Sequence, residues 1–249
     1  MPCYYPMRIR NPKPSAKNPT EFIDIPCGKC FQCLQRKRNE WVYRMQYEMK
    51  KYYTKSWFAT FTYDDEHLPP HGADKEFCKR FLKQIRERYP GVKYFFVTEY
   101  GPTTGRIHAH AVFFNTTIDH YEIVHYLNKY WKNGLVKVEL VTLERLGYVA
   151  GYEITRNEVP EGQNPNFRLI SQGMGKPVGD ELDFIPKLNK TGIRRSDGKL
   201  TPVPRYTLDK VCNETEKYCI QKKKQRKAQK MFETETRTFY QLENLRTWK

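Results

Sequence analysis

The chain has 249 residues, 39% of them hydrophobic, enough for one large domain with a core of its own. Lys and Arg total 44 against 28 Asp and Glu, and the resulting net charge of +16 points to a polyanionic partner, nucleic acid first. No apolar run reaches the roughly 18 residues a membrane helix needs, and the opening MPCYYPMRIRNPKP has no apolar signal core. The seven Cys are therefore expected in a reducing compartment, not in a disulfide scaffold.

In chain order, residues 1–26 are Pro-rich and read as an extended arm, followed by CGKCFQC. A helix follows, with Leu34, Trp41, Met45 and Met49 near helical spacing. SWFATFTY (56–63) reads as a strand, DDEHLPPHG as a loop, and DKEFCKRFLKQIRERY (74–89) as an amphipathic helix with Asp74 as N-cap. VKYFFVTEY and RIHAHAVFF flank the turn GPTTG and form a hairpin that ends at Asn115. TIDHYEIVHYLNKYW is a helix stopped at Gly134, LVKVELV a strand, and LERLGYVAGYEITR (143–156) a helix. This β-α-β-β-α-β-α order predicts an α+β fold, a ferredoxin-like antiparallel sheet with helices on one face. Residues 157–209 read as long ordered loops. Residues 207–249, with QKKKQRKAQK, read as a charged helix that is either solvated or a DNA-contacting stripe. The expected organisation is an N-terminal arm and helix (1–55), a core (56–157) and an extension (158–249) packed on or beside it.

The chemistry concentrates in RIHAHAVFF. Side chains alternate along a strand, so His108 and His110 share a face with Val112 and Phe114, about 6.5–7 Å apart. Two buried imidazoles side by side repel when charged, and a shared cation removes that objection. Glu99, the only carboxylate in FFVTEYG, supplies a third ligand if the hairpin register places it opposite or diagonal to His108; a one-residue slip would turn it away. The bland alternative is a buried His-Glu network. Tyr148, Tyr152 and Arg156 lie four apart and share one face of the predicted helix, as core packing or as reactive phenols with a nearby cation.

Cys27, Cys30 and Cys33 form CxxCxxC, and with Cys3 they make a candidate tetrahedral zinc site tying the arm to the first helix, with an iron–sulfur cluster or free thiols as the alternatives. Cys78 reads as core, and Cys212 and Cys219 as a packed seam on the last helix. His67, His71, His120 and His125 read as structural.

Together IHAHAVFF, WFATFTYDDEHLP and GYVAGYEITR resemble the motifs of HUH endonucleases, the initiators of rolling-circle replication. The closer resemblance is to the replication initiators of gokushovirus-like Microviridae, which share the segments PCGKCFQC, SQGMGKP and VPRYTLDK. The resemblance implies a divalent cation, Mn or Mg, held by His108, His110 and Glu99. It implies tyrosine attack on single-stranded origin DNA, a 5′-phosphotyrosine intermediate, and a 3′-OH left for the host replication machinery in the bacterial cytoplasm. Arg156 stands where relatives often carry lysine; it can clamp phosphate but cannot donate a proton at neutral pH. Two competing readings are a non-catalytic single-strand binder with an RRM-like sheet and a zinc hydrolase of another class.

Overall fold

A computed structural model describes residues 3–12, 14, 19–51, 56–152, 159–176, 193–194, 200–201, 203–213, 215–217, 219–220, 222 and 226. Its centre is the hairpin of β4 (Lys93–Tyr100) and β5 (Ile107–Phe114), whose apolar residues are buried on both sides. β3 (Trp57–Thr62) pairs with the other edge of β5, and β6 (Val136–Leu140) with β3, all antiparallel. The spatial order β6-β3-β5-β4 is the split βαβ arrangement expected from the sequence. A fifth strand, β7 (Arg168–Ile170), extends the sheet beyond β4. Sequence reading placed this stretch among loops, because three residues are too few for an alternation pattern to register.

Helices cover both faces of the sheet, not one. On the first face, α2 (Lys75–Arg88) and α3 (His120–Trp131) bury Phe81, Leu82, Ile85, Ile123, Leu127 and Trp131 against Ala59, Phe61, Ala109, Ala111 and Phe113. Asp74 and Asp119 cap these helices, accepting from the N–H of Phe77 and Glu122 at 2.9 and 2.8 Å. On the second face, α1 (Phe31–Lys51) and α4 (Leu143–Gly151) place Met45, Leu146, Val149 and Ala150 over Phe58, Phe95, Val112 and Phe114. The reason lies in the strands: β5 is apolar at odd and even positions alike, so each face needs a cover. An open sheet face of the kind RRM domains use to stack bases is therefore not available on these central strands.

Further differences from the sequence reading are local. The arm folds back as a hairpin of β1 (Met7–Arg10) and β2 (Phe22–Ile25), held at its loop end by Asn11, whose N–H and side-chain amide donate to Glu21 O and Thr20 O. α3 stops at Lys132, which takes the left-handed conformation (φ 55°), and not at Gly134. Gly134 is needed instead for close approach, since a Cβ there would overlap the backbone of Thr62–Asp64. α4 ends at Gly151, with Tyr152 as its C-cap.

By internal contacts the chain divides into Met1–Gly175 and Lys176–Lys249. The second unit contains β8 (Ile193–Arg194), β9 (Leu200–Thr201) and α5 (Arg205–Val211). α5 ends before Cys212, which is extended and buried with Val203 and Leu208, whereas Cys219 is exposed. The expected seam of Cys212 and Cys219 on one continuous helix is therefore not formed; Pro204 starts a helix only two turns long. Cys78 is buried in the core as expected. No helix among the described residues is long and apolar enough to cross a membrane.

The segment Gly173–Gly175 is locked onto α1. Arg44 donates through Nε and Nη2 to Met174 O at 2.9 and 2.7 Å, and Glu48 Oε1 accepts from Gly175 N at 2.8 Å. The fully buried Glu48 is paired with Lys93 Nζ at 2.5 Å, and Lys93 also reaches Gly173 O. Removing one partner of a buried ion pair strands the other charge. Lys93→Met is expected to cost about 3–5 kcal/mol in urea unfolding, and adding Glu48→Gln to recover more than half of that loss.

Candidate active site

The register of the hairpin is the first requirement, and it is met. Glu99 sits directly opposite His108 across β4–β5, with His110 two residues along on the same face. Glu99 Oε2 lies 3.2 Å from His108 Nε2 and 3.6 Å from His110 Nε2. The two ring centroids are 5.0 Å apart at 90°. Glu99 and His110 are buried and His108 is partly so.

The other ring nitrogens decide what these Nε2 atoms can do. His108 Nδ1 is 3.3 Å from Arg106 O, and a carbonyl can only accept, so Nδ1 carries the proton. His110 Nδ1 is 3.1 Å from Thr60 Oγ1. The His108 Nε2 lone pair is then directed at a carboxylate oxygen, and the His110 Nε2 lone pair is as well when Thr60 Oγ1, a hydroxyl that can donate or accept, accepts from Nδ1. Two acceptors face to face need a positive charge between them, a proton or a metal ion. The donor set of two imidazoles and one carboxylate suits a divalent transition metal with open positions. Burial first, and the His108 charge second, push His110 down to about 4, with Glu99 opposing. His110 is therefore neutral near pH 7 and competent as a ligand.

α4 brings both tyrosines over this group. Tyr148 Oη is 3.4 Å from Glu99 Oε2 and 3.4 Å from His110 Nε2, and Tyr152 Oη donates to the same Glu99 oxygen. The Tyr152 ring stacks on the His110 ring, and Phe58 stacks on His110 as well. Burial above all, and the Glu99 charge, raise the proton affinity of both phenols above the usual value, although the Tyr152 contact opposes this at Tyr148. With Glu99 as their partner the two hydroxyls stay protonated. Tyr148 is half exposed and Tyr152 less so. Arg156 lies outside the described residues.

Sequence reading missed two supporting residues. Thr60 faces His110 across β3–β5 and fixes its ring, a contact visible only once the strand order is known. Arg38 of α1 donates through Nε and Nη2 to Gly147 O, at 3.2 and 3.0 Å, and ties the tyrosine helix to α1. The glycine at 147 keeps this approach open, since a Cβ would come within 3.1 Å of Arg38 Nη2.

The four N-terminal cysteines also meet. Cys3 Sγ is 3.4 Å from Cys27 Sγ and 3.7 Å from Cys30 Sγ, and Cys27 Sγ is 4.0 Å from Cys33 Sγ. All are free thiols, able to hold one ion together. Backbone N–H groups point at sulfur, Cys27 N to Cys3 Sγ and Cys30 N to Cys27 Sγ, both at 3.3 Å. Burial opposes ionisation of Cys30, but backbone hydrogen bonds at Tyr4 and Cys33 and the neighbouring thiols outweigh it and bring that thiol down to about 6. Cys33, deepest in the group, is pushed up to about 12, by burial first. His67 instead pairs with Asp64 on the surface, and His120 Nε2 contacts Val138 O, so both are structural.

Residues 56–157 match the family model "Replication-associated protein ORF2/G2P". The chain is similar to the replication-associated protein ORF2 of Spiroplasma virus 4, at 26% identity over 71% of this chain and 61% of that protein. It is similar to VP4 of Bdellovibrio phage phiMH2K, 28% identical over 74% and 66%, and to ORF4 of Chlamydia phage 1, 29% identical over 51% and 37%. The chain thus spans under two thirds of the length of these relatives. The N-terminal nuclease domain of minute virus of mice non-structural protein 1 aligns at a TM-score of only 0.26 and 11% identity, over 74% of this chain and 98% of that one, and supports nothing further. The likeness to phage replication-associated proteins that the motifs suggested is borne out.

Because the folded state holds His110 neutral, the unfolded chain binds the extra proton between about pH 6.5 and 4. Stability therefore falls on acidification through that window. In metal-free protein this group is expected to account for a loss of about 2–3 kcal/mol between pH 7 and pH 4.5, and His110→Gln to remove that part of the slope in urea titrations at the two pH values.

Proposed function

We propose that this chain starts replication of a single-stranded DNA genome by cutting one strand through a tyrosine and later rejoining it. The observation that carries the reading is the convergence of Tyr148 and Tyr152 on the carboxylate that also faces both histidines. Similarity to phage replication-associated proteins supports it. The DNA origin, the host polymerase that extends the freed 3′-OH, and action in the bacterial cytoplasm belong to the same proposal.

His108 Nε2, His110 Nε2 and Glu99 are the residues that would hold a divalent cation, Mn or Mg, with the imidazoles favouring Mn. Such an ion supplies polarisation of a phosphate oxygen. With Glu99 as one of its ligands, that carboxylate would no longer be the partner of the two phenols, which would leave their hydroxyls available to substrate. The phenol oxygen attacks phosphorus and gives up its proton, the bond to the 3′ oxygen breaks, that oxygen takes up a proton and leaves as a 3′-OH, and the strand is held as a 5′-phosphotyrosine. The ester bond conserves the energy of the broken linkage, so attack by a 3′-OH can reseal the strand without ATP. Two tyrosines at one site let one retain DNA while the other cuts again. Arg156 is proposed to clamp phosphate. Thr60 orients the His110 ring, the Arg106 carbonyl holds the His108 tautomer, and Arg38 holds the helix that carries Tyr148.

The cysteine group is proposed as a structural zinc site. It joins the start of α1 to the arm, and α1 is the helix Arg38 extends from.

Full-length protein incubated with single-stranded DNA and Mn²⁺ is expected to give a protein–DNA adduct that survives boiling in detergent and is absent with EDTA. Tyr148→Phe and Tyr152→Phe should each lower its yield, the double variant should abolish it, and His108→Ala should abolish it as well. Tight DNA binding with no adduct under these conditions would favour a binding protein instead. For the cysteines, metal analysis of purified protein should find about one zinc per chain, and Cys30→Ser should lose it with a loss of thermal stability.

A further inference from the structure

Six aromatic side chains are exposed among the described residues, and four of them lie in the first 31. Tyr4, Tyr5, Phe22 and Phe31 are 59%, 73%, 46% and 54% accessible. A large ring left in water forgoes the burial that would stabilise the fold, so such a concentration calls for a physical reason. The rings are also held in place. Cys30 takes a backbone hydrogen bond at Tyr4, and Tyr4 Oη accepts from Gln32 Nε2 at 2.7 Å. The Tyr4 ring meets that of Tyr5 edge-on, with centroids 6.4 Å apart. Phe31 directly follows Cys30 as the first residue of α1.

The β1–β2 hairpin adds charge. Its register pairs Arg8 with Asp24 and Arg10 with Phe22, so these four side chains share one face, and all four are exposed. The other face carries Met7, Ile9, Ile23 and Ile25, and its three isoleucines are half-buried. The Arg8 guanidinium lies over the Phe22 ring, 5.5 Å from its centroid. Through residue 31 the sequence has Arg8, Arg10, Lys13, Lys17 and Lys29 against Glu21 and Asp24. Exposed rings interleaved with cations suit an unpaired polynucleotide strand, in which bases stack on rings and phosphates meet Arg and Lys. A duplex would leave the rings idle, because its bases already stack on one another. A neutral protein surface would leave the excess positive charge unanswered.

We propose that the N-terminal arm is a second binding surface for single-stranded DNA, separate from the tyrosine site. Tyr4, Tyr5, Phe22 and Phe31 stack on bases, and Arg8 and Arg10 hold phosphates. Phe31 stands seven residues before Arg38, the α1 residue that reaches the tyrosine helix, which is about 10 Å along the helix axis. The arm therefore grips the strand at a point other than the phosphate under attack, and it keeps that grip whether or not the strand is cut. The choice of DNA over RNA rests on the strand-cutting reading; the surface itself does not.

The test uses the full chain with no divalent cation added, so cutting plays no part in the readout. Fluorescence anisotropy follows binding of a labelled oligo-dT strand, a duplex of equal length and an oligo-U RNA. Tyr5→Ala combined with Phe22→Ala is expected to weaken single-strand binding about tenfold and duplex binding by less than about twofold. Tyr5→Phe combined with Phe22→Tyr keeps both rings and should bind as wild type does, which separates stacking from folding of the arm. Arg8→Ala combined with Arg10→Ala should flatten the dependence of log affinity on log salt by about 0.7 per lost phosphate contact. A strand carrying 5-iodouracil, irradiated in the complex, should crosslink to peptides within residues 3–31. Undiminished single-strand binding by the ring-deleted variant, or crosslinks confined to residues 56–157, would overturn the proposal. An equal loss for single strand and duplex would overturn the stacking role. Oligo-U bound more tightly than oligo-dT, with the same dependence on the arm, would overturn the assignment to DNA. Self-association in sedimentation that the ring deletions abolish, with DNA binding unchanged, would overturn it in favour of a contact between copies of the chain. Arm crosslinks and arm-dependent affinity, without a tyrosine adduct in the Mn²⁺ reaction, would remove the strand-cutting reading and leave the arm surface standing.

Discussion

Everything at the site depends on a cross-strand pairing in the middle of an otherwise apolar sheet. Glu99 and His108 are partners in the β4–β5 register, and the β-strand repeat then puts His110 on the same face. A shift of one residue would turn Glu99 toward the aromatic core under α2 and α3, where a carboxylate has no partner. The register is held by the apolar residues flanking it on both faces. Phe95, Val97, Val112 and Phe114 belong under α1 and α4, and Phe96, Ala109, Ala111 and Phe113 under the other pair. The polar group is thus positioned by hydrophobic burial, and its own electrostatics would not suffice to place it.

Burial gives the group its chemical character. In water, two histidines and a glutamate would exchange partners freely. Under α4 they are short of solvent, their Nδ1 atoms are committed to Arg106 O and Thr60 Oγ1, and their Nε2 atoms converge on one carboxylate oxygen. The same carboxylate restrains two phenols. A single negative charge is shared among four groups, so whatever neutralises it changes the state of all of them together.

The helix carrying the tyrosines is supported from the far end of the first unit. The arm, the four thiols, α1, Arg38 and Gly147 form a continuous physical connection to α4. The Gly173–Gly175 segment is clamped to the same helix by Arg44, Glu48 and Lys93. α1 is therefore the brace between the cysteine group, the tyrosine helix and the stretch leading from β7.

Local pattern was sufficient for much of this. The elements from residue 56 to 151, their antiparallel order, and the shared face of His108 and His110 follow from alternation, helical spacing and turn residues, which are short-range properties. The proximity of the four cysteines was legible from CxxCxxC plus one early thiol, and the likeness to phage replication proteins from the motifs themselves. Other features depended on contacts between residues distant in sequence. β7 and the β1–β2 hairpin are too short to show a period, and they exist because a partner edge is offered to them. The cover on the second face, Thr60 behind His110, and Arg38 behind Gly147 depend on how whole elements pack. Spacing along the chain carries no record of that packing, so only the tertiary structure decided it.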